Sequence, residues 1–145
     1  MKKVTVQNYR QDKYYPRVVR AVGKILSRTD VVEPVEILLE MGNLSRKNHD
    51  TWRCGQVPCL ERVIEGNVSK TSRILRIIGF HLHDLNMVPK QTAYQQLGRK
   101  GNRILRFSKS GNRRLGEAYG RQYVWNQSEE KKRKVIEQVL LGQET

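Results

Sequence analysis

The chain has 145 residues, 37% hydrophobic and 29% charged, which is one domain's worth of core and not two. Its 28 Lys and Arg face 14 Asp and Glu, and the resulting charge of +14 excludes a neutral metabolite binder as the default and puts nucleic acid ahead of any other partner. No apolar run reaches the roughly 18–20 residues of a membrane span, and the start turns polar before a secretory apolar segment forms, so a cytoplasmic protein with no membrane partner is expected.

The charge is unevenly placed. Residues 1–28 carry eight basic side chains against Asp12 alone, residues 29–84 seven against eight acids, residues 85–116 eight against none, and residues 117–145 five against five. Two basic poles flank a nearly neutral middle, and that middle must supply most of the core. Solubility alone is served as well by acids, so a stretch of 32 residues without one points to an anionic partner.

Residues 1–13 are polar and basic, an N-terminal arm that is either a short edge strand or mobile. A single helical domain is expected over 14–125. Pro16 suits a first helical turn, and Val18, Val19, Val22, Ile25 and Leu26 fall on one face of the helix that follows. Arg17, Arg20, Lys24 and Arg28 form a separate stripe, mostly four residues apart, that points to solvent or to phosphate. Pro34 opens a short, nearly all-apolar helix that Gly42 stops. Ser45 is the N-cap of a polar helix over 46–54, anchored by Trp52.

Beyond Pro58 an apolar stripe at steps of three, four or seven runs to about Asn86, and Gly66-Asn67-Val68-Ser69 divides it into helices over 58–65 and 69–85. Lys70, Arg73 and Arg76 ride on the outer side of the second. Residues 92–97 and 103–108, joined by Gly98-Arg99-Lys100-Gly101-Asn102, read as a β-hairpin at about 92–109 with Leu105 and Phe107 on one face. A helix is then expected over 113–125, with Leu115, Ala118, Tyr119 and Tyr123 inward. Ser128-Glu129-Glu130 caps a C-terminal amphipathic helix within 126–145, whose narrow stripe of Val135, Ile136, Val139 and Leu140 packs on its own core or on a second copy, a homodimer. The expected fold class is mainly α with one β-hairpin, of helix-turn-helix or winged-helix-like type.

The main binding candidates lie on the hairpin and its exit: Arg99, Lys100, Arg103, Arg106, Lys109, Arg113 and Arg114, interleaved with small and turn residues. Arginine forks on a narrow ribbon reach phosphate oxygens, which supplies affinity without reading sequence. Arg17, Arg20, Lys24, Arg28, Lys70 and Arg73 complete the candidate nucleic-acid set, and the hairpin and the first helix are expected to share one surface. Helices 46–54 and 58–65 around Cys54-Gly55-Gln56-Val57 suggest a helix-turn-helix, an imperfect one with Glu61 and Glu65 where a groove would be met.

Other chemistry is thinly signalled. Cys54 and Cys59, both expected reduced, stand with His81 and His83 as four conceivable zinc ligands, yet a His-x-His pair on a helix points its rings apart. No nucleophile elbow, phosphate loop or metalloprotease motif occurs; Asp84 with His81 is the pair a nuclease would use. Neither a metal, a cofactor nor an enzymatic activity is expected. Tyr9, Tyr14 and Trp125 are open to stacking on bases, whereas Tyr119 and Tyr123 belong at the edge of the core.

The run Trp52-Arg53-Cys54-Gly55-Gln56-Val57-Pro58-Cys59-Leu60-Glu61-Arg62-Val63-Ile64 resembles a set of small basic bacterial proteins of uncharacterised function. Tyr15-Pro16-Arg17 upstream and Leu105-Arg106-Phe107-Ser108-Lys109-Ser110-Gly111 downstream extend the resemblance over roughly residues 14–125. It implies a bacterial origin and a single compact unit, and brings no residue role with it. The expected function is nucleic-acid binding, duplex DNA before RNA, as a regulator or accessory of a bacterial mobile-element or defence system. The alternatives are an RNA-binding protein and a non-enzymatic subunit that docks on an acidic partner.

Overall fold

The computed structural model describes residues 3–94, 104–108 and 110–142. Among them the chain is mainly helical, with α1 (Tyr15–Leu26), α2 (Pro34–Met41), α3 (Arg46–Arg53), α4 (Val68–Asp84), α5 (Arg113–Tyr119) and α6 (Glu129–Gly142). Three short strands, β1 (Val31–Val32), β2 (Val88–Gln91) and β3 (Arg121–Val124), form an antiparallel sheet in the order β1-β3-β2. No helix among the described residues is long and apolar enough to cross a membrane.

The first three helices follow from local chemistry. Pro16 sits in the first turn of α1, whose Val18, Ala21, Val22, Ile25 and Leu26 are buried as the helical period requires, with Val19 half-buried beside them. Gly42 ends α2 in the left-handed region at φ 81°, as its lack of a Cβ allows. The Ser45 hydroxyl accepts the Asn48 N–H at 3.1 Å to cap α3, and Trp52 is its fully buried anchor.

Helix α4 runs unbroken through Gly79 and is capped by Asn67, whose side chain accepts the Lys70 N–H at 2.8 Å, one residue pair ahead of the expected Ser69. Its Ile74, Ile77, Ile78 and Leu82 form the centre of the core.

Four expectations are corrected. Residues 58–65 are not a helix; only a 3-10 turn, Leu60–Arg62, occurs there. The Leu60 and Glu61 N–H groups donate instead to the carbonyls of Arg106 (3.0 Å) and Phe107 (2.9 Å), a strand-like contact with a distant segment that displaces the local helical bonds. The helix-turn-helix therefore lacks its second helix.

Over its described residues, 3–13, the N-terminal arm forms no strand: Val4 and Tyr9 are buried in the core, and the chain passes through a 3-10 turn at Tyr9–Gln11. The helix expected over 113–125 ends at Tyr119. Beyond Gly120 the chain becomes β3, where Tyr123 and Val124 face Val32 and Val31 on one side and Pro89 and Val88 on the other. A side chain at Gly120 would press into the Thr92 carbonyl, so the close approach of β2 and β3 requires glycine there.

Of the expected hairpin at 92–109, residues 95–103 and Lys109 lie outside the described residues. Within them the Leu105 N–H donates to the Tyr94 carbonyl at 2.7 Å. Leu105 and Phe107 point inward and Arg106 outward, as alternation predicts, but Ser108 is buried rather than exposed.

The C-terminal helix packs on its own chain. Val135, Ile136 and Val139 lie on the core, and a Cβ at Gly23 of α1 would meet Val139 Cγ1 at 2.8 Å. The Lys132 ammonium bridges to Asp30 at 2.6 Å beside this contact. The stripe offered to a second copy is thus used internally, apart from the Leu140 side chain, which is outside the described ones.

Two outcomes test this packing. Gly23→Leu forces α6 off α1 and costs about 1–3 kcal/mol in urea denaturation, the usual penalty for overfilling a packed contact, and Val139→Ala restores part of it. The second concerns His81, a buried side chain of α4 set edge-on to the Tyr15 ring at 5.7 Å, with neither ring nitrogen bonded to a described residue. Burial depresses its pKa from 6.5 to about 4, Asp84 opposing and Arg10 assisting. Below pH 6.5 the unfolded chain takes up a proton that the native state refuses, so stability falls as pH falls from 6.5 towards 4. Denaturant midpoints give about 2 kcal/mol less stability at pH 5 than at pH 8, and His81→Leu flattens that slope.

Candidate nucleic-acid interface

Helix α4 has two working faces. One builds the core; the other, carrying Ser72, Arg76, Gly79 and His83, floors an open groove of about 950 Å³. Helix α5 with the turn before it forms one wall, and β2 with the end of β3 closes the far side through Met87, Pro89 and Tyr123. Gly79 gives the floor its depth, since a Cβ there would meet only the Tyr123 hydroxyl, at 3.8 Å. Phe80 and Tyr123 contribute ring surface, and Val6 and Val68 are exposed apolar side chains at the same groove.

The rim is cationic. Arg76 from α4, Arg114 from α5 and Arg121 from β3 all line the groove, together with His83, and among the described residues no carboxylate lines it. Arg76 donates its Nε–H to the Val4 carbonyl at 3.1 Å, which fixes the stem and leaves the guanidinium edge at the surface. Among the described residues neither Arg114 nor Arg121 is paired with an acid. Met87, Pro89, Ser110, Asn112, Arg114 and Leu115, on the two sides of the groove, come from the acid-free stretch 85–116, whereas its floor comes from α4.

Several other candidates have internal partners. Arg17 donates to the Met41 carbonyl at 2.7 Å, satisfying the end of α2. Arg28 bridges Glu40 at 2.9 Å and Glu36 at 3.8 Å. Arg73 is held by the buried Asp12 carboxylate, which ties the N-terminal segment to α4. Arg113 pairs with Glu117 one turn along α5 at 3.2 Å. Lys70 lies over the Tyr14 ring at 5.6 Å.

Arg20 and Lys24 remain exposed on α1, and no residue of α1 lines the groove. Arg106 faces outward while its main chain is clamped: the Trp52 indole N–H donates to its carbonyl at 2.8 Å. Arg99, Lys100, Arg103 and Lys109 fall outside the described residues.

The structure adds Arg76, Arg121 and Phe80 to the candidates. Arg76 is visible in the sequence as the next outward residue after Arg73 on the helix, whereas Arg121 carries no signal once 121–124 is taken for helix.

The remaining sites of possible chemistry are enclosed or occupied. Among the described residues no three His, Cys, Asp or Glu converge; Cys59 is buried and Cys54 exposed. Asp84 accepts Arg10 at 2.7 Å. Tyr9 and Trp125 are buried, which removes them as stacking platforms, while Tyr14 is half-buried beneath Lys13 and Lys70. Tyr123 lies at the edge of the core, where it also lines the groove, whereas Tyr119, expected at that edge, is fully buried with its hydroxyl donating to Glu61 at 3.1 Å. The phenols of Tyr94 and Tyr119 are held well above the usual tyrosine range by burial and by the carboxylates they donate to, Glu33 and Glu61, so both remain protonated donors.

Comparison with protein-family models, with curated proteins and with solved structures finds no match to this chain.

Proposed function

We propose that this protein binds nucleic acid through its backbone phosphates. The observation that carries the proposal is the groove of about 950 Å³ with Arg76, Arg114 and Arg121 at its edge and no carboxylate among its described lining residues, on a chain of charge +14. Guanidinium groups present paired donors that match phosphate oxygens, and three of them spaced around one concavity fit an extended polyanion better than a lone acidic group. Arg20 and Lys24 of α1 add to the long-range positive field that draws such a ligand in.

With residues 58–65 in bends around a 3-10 turn, the recognition helix expected there is missing. Contacts of this kind therefore position the ligand rather than read its sequence. The preference for duplex DNA rested on that helix and is not part of the proposal.

Binding of random-sequence DNA and RNA, measured by fluorescence anisotropy over a salt series, is the test. Affinity falls linearly in log[salt], and the triple change Arg76→Gln, Arg114→Gln, Arg121→Gln reduces the slope by about 2–3, close to one per lost phosphate contact. Absence of binding to every nucleic acid at low salt overturns the proposal in favour of docking on an acidic protein.

A further inference from the structure

We infer that the groove takes unpaired nucleotides, with their bases laid on its apolar floor and their phosphates on its arginine rim. The inference rests on the nucleic-acid reading above and narrows it to single strands. A duplex presents phosphates and base edges but keeps its base faces stacked and paired, so it has nothing to place in an apolar recess; a single strand exposes those faces and gains by burying them.

Leu75, Gly79, Phe80, Met87, Leu115 and Tyr123 line the recess, and the charges stand at Arg76, Arg114 and Arg121.

Gly79 is the most telling residue. A glycine in the middle of a 17-residue helix costs about 1 kcal/mol relative to alanine, a price that close packing would explain. Among the described residues no packing does so: a Cβ at Gly79 would meet only the Tyr123 hydroxyl, at 3.8 Å. The missing side chain instead leaves the floor bare between Leu75 and His83, where a planar ring can lie against helix backbone.

The volume of about 950 Å³ is at the upper end of the range for small-molecule sites and suits a short run of nucleotides. Charge complementarity selects the occupant: an apolar floor alone fits many partners, whereas one bordered by three arginines and no acid fits an anionic chain bearing flat apolar groups. An acidic amphipathic peptide would meet the same charges, but it carries a planar ring only where it has an aromatic side chain, whereas every nucleotide carries both a ring and a phosphate; the peptide enters the test as an opposing outcome.

The experiment compares mixed-sequence single strands of about 12 nucleotides, as DNA and as RNA, with their duplexes, using the full chain at low salt. Single strands of either sugar are expected to bind about tenfold more tightly than the matching duplex, which is the scale of one buried base stack. Gly79→Leu fills the floor, lowers single-strand affinity about tenfold and abolishes the preference over duplex, with thermal melting used to verify the fold. Arg114→Gln, at an exposed position that bears on no packing, weakens single-strand binding and lowers its salt slope by about 1.

Equal affinity for single and double strands, together with a Gly79→Leu variant that binds like the parent, overturns the base recess while leaving phosphate binding intact. If no strand binds but an acidic amphipathic peptide does, both readings fail. The DNA and RNA arms separate the two sugars: a preference for one of them above tenfold identifies the natural strand.

Discussion

The carbonyls of Arg106 and Phe107 are the point on which the architecture turns. The Trp52 indole and the Leu60 N–H both donate to the first, and the Glu61 N–H donates to the second. Each donor is in or beside the core, where an unmatched N–H costs about 1–3 kcal/mol, so these bonds fix three stretches of chain against one another. Because Leu60 and Glu61 are drawn outward to this contact, residues 58–65 form no helix. Because the main chain at 106–107 is clamped, Phe107 stacks on Tyr119 with ring centroids 5.3 Å apart, and Tyr119 in turn places α5. The groove wall and Arg114 follow from that placement.

Around this clamp the carboxylates are used with little remaining over. Asp12 holds Arg73, Asp30 holds Lys132, Glu36 and Glu40 hold Arg28, and Asp84 holds Arg10. Glu33 accepts from both Tyr94 and Gln122, joining the segment after β2 and the strand β3 to the start of α2. Most of the exposed pairs among these contribute little stability individually, since water and salt screen them. Their consequence is geometric: acids are drawn to the joints between elements, and the groove lining is left with cations only. Three of the chain's arginines, Arg76, Arg114 and Arg121, thereby stand on a concave surface without a carboxylate among its described lining residues.

Helix α4 shows how one element serves both purposes. Its apolar residues at Ile74, Ile77, Ile78 and Leu82 face the core, and the residues nearly half a turn away face the groove. The single stripe seen in the sequence, Leu75, Ile78, Leu82 and Leu85, lies near the boundary between the two faces. A period analysis finds that stripe and cannot tell that Gly79 and Phe80 front an open recess, because the recess exists only once α5 and β3 are in place. Tyr9 and Trp125 follow the same logic: a tyrosine in a basic arm and a tryptophan at the end of an expected helix look available, but each is buried in the fold.

What the sequence determined by itself is the set of features closed within a few residues. Helices α1, α2 and α3 are legible because their hydrogen bonds join neighbours four apart and because Pro16, Pro34, Gly42 and Ser45 act on adjacent backbone; the acid-free segment is legible because charge is a sum over residues. The tertiary structure alone decided the rest. Strands of two to four residues carry too short a pattern to announce themselves, and β3 exists because β1 and β2, far apart in the chain, both have backbone groups to satisfy. The fate of residues 58–65 and the assembly of Arg76, Arg114 and Arg121 around one recess depend on the same kind of long-range pairing, whose energy is released only after the intervening loops have closed.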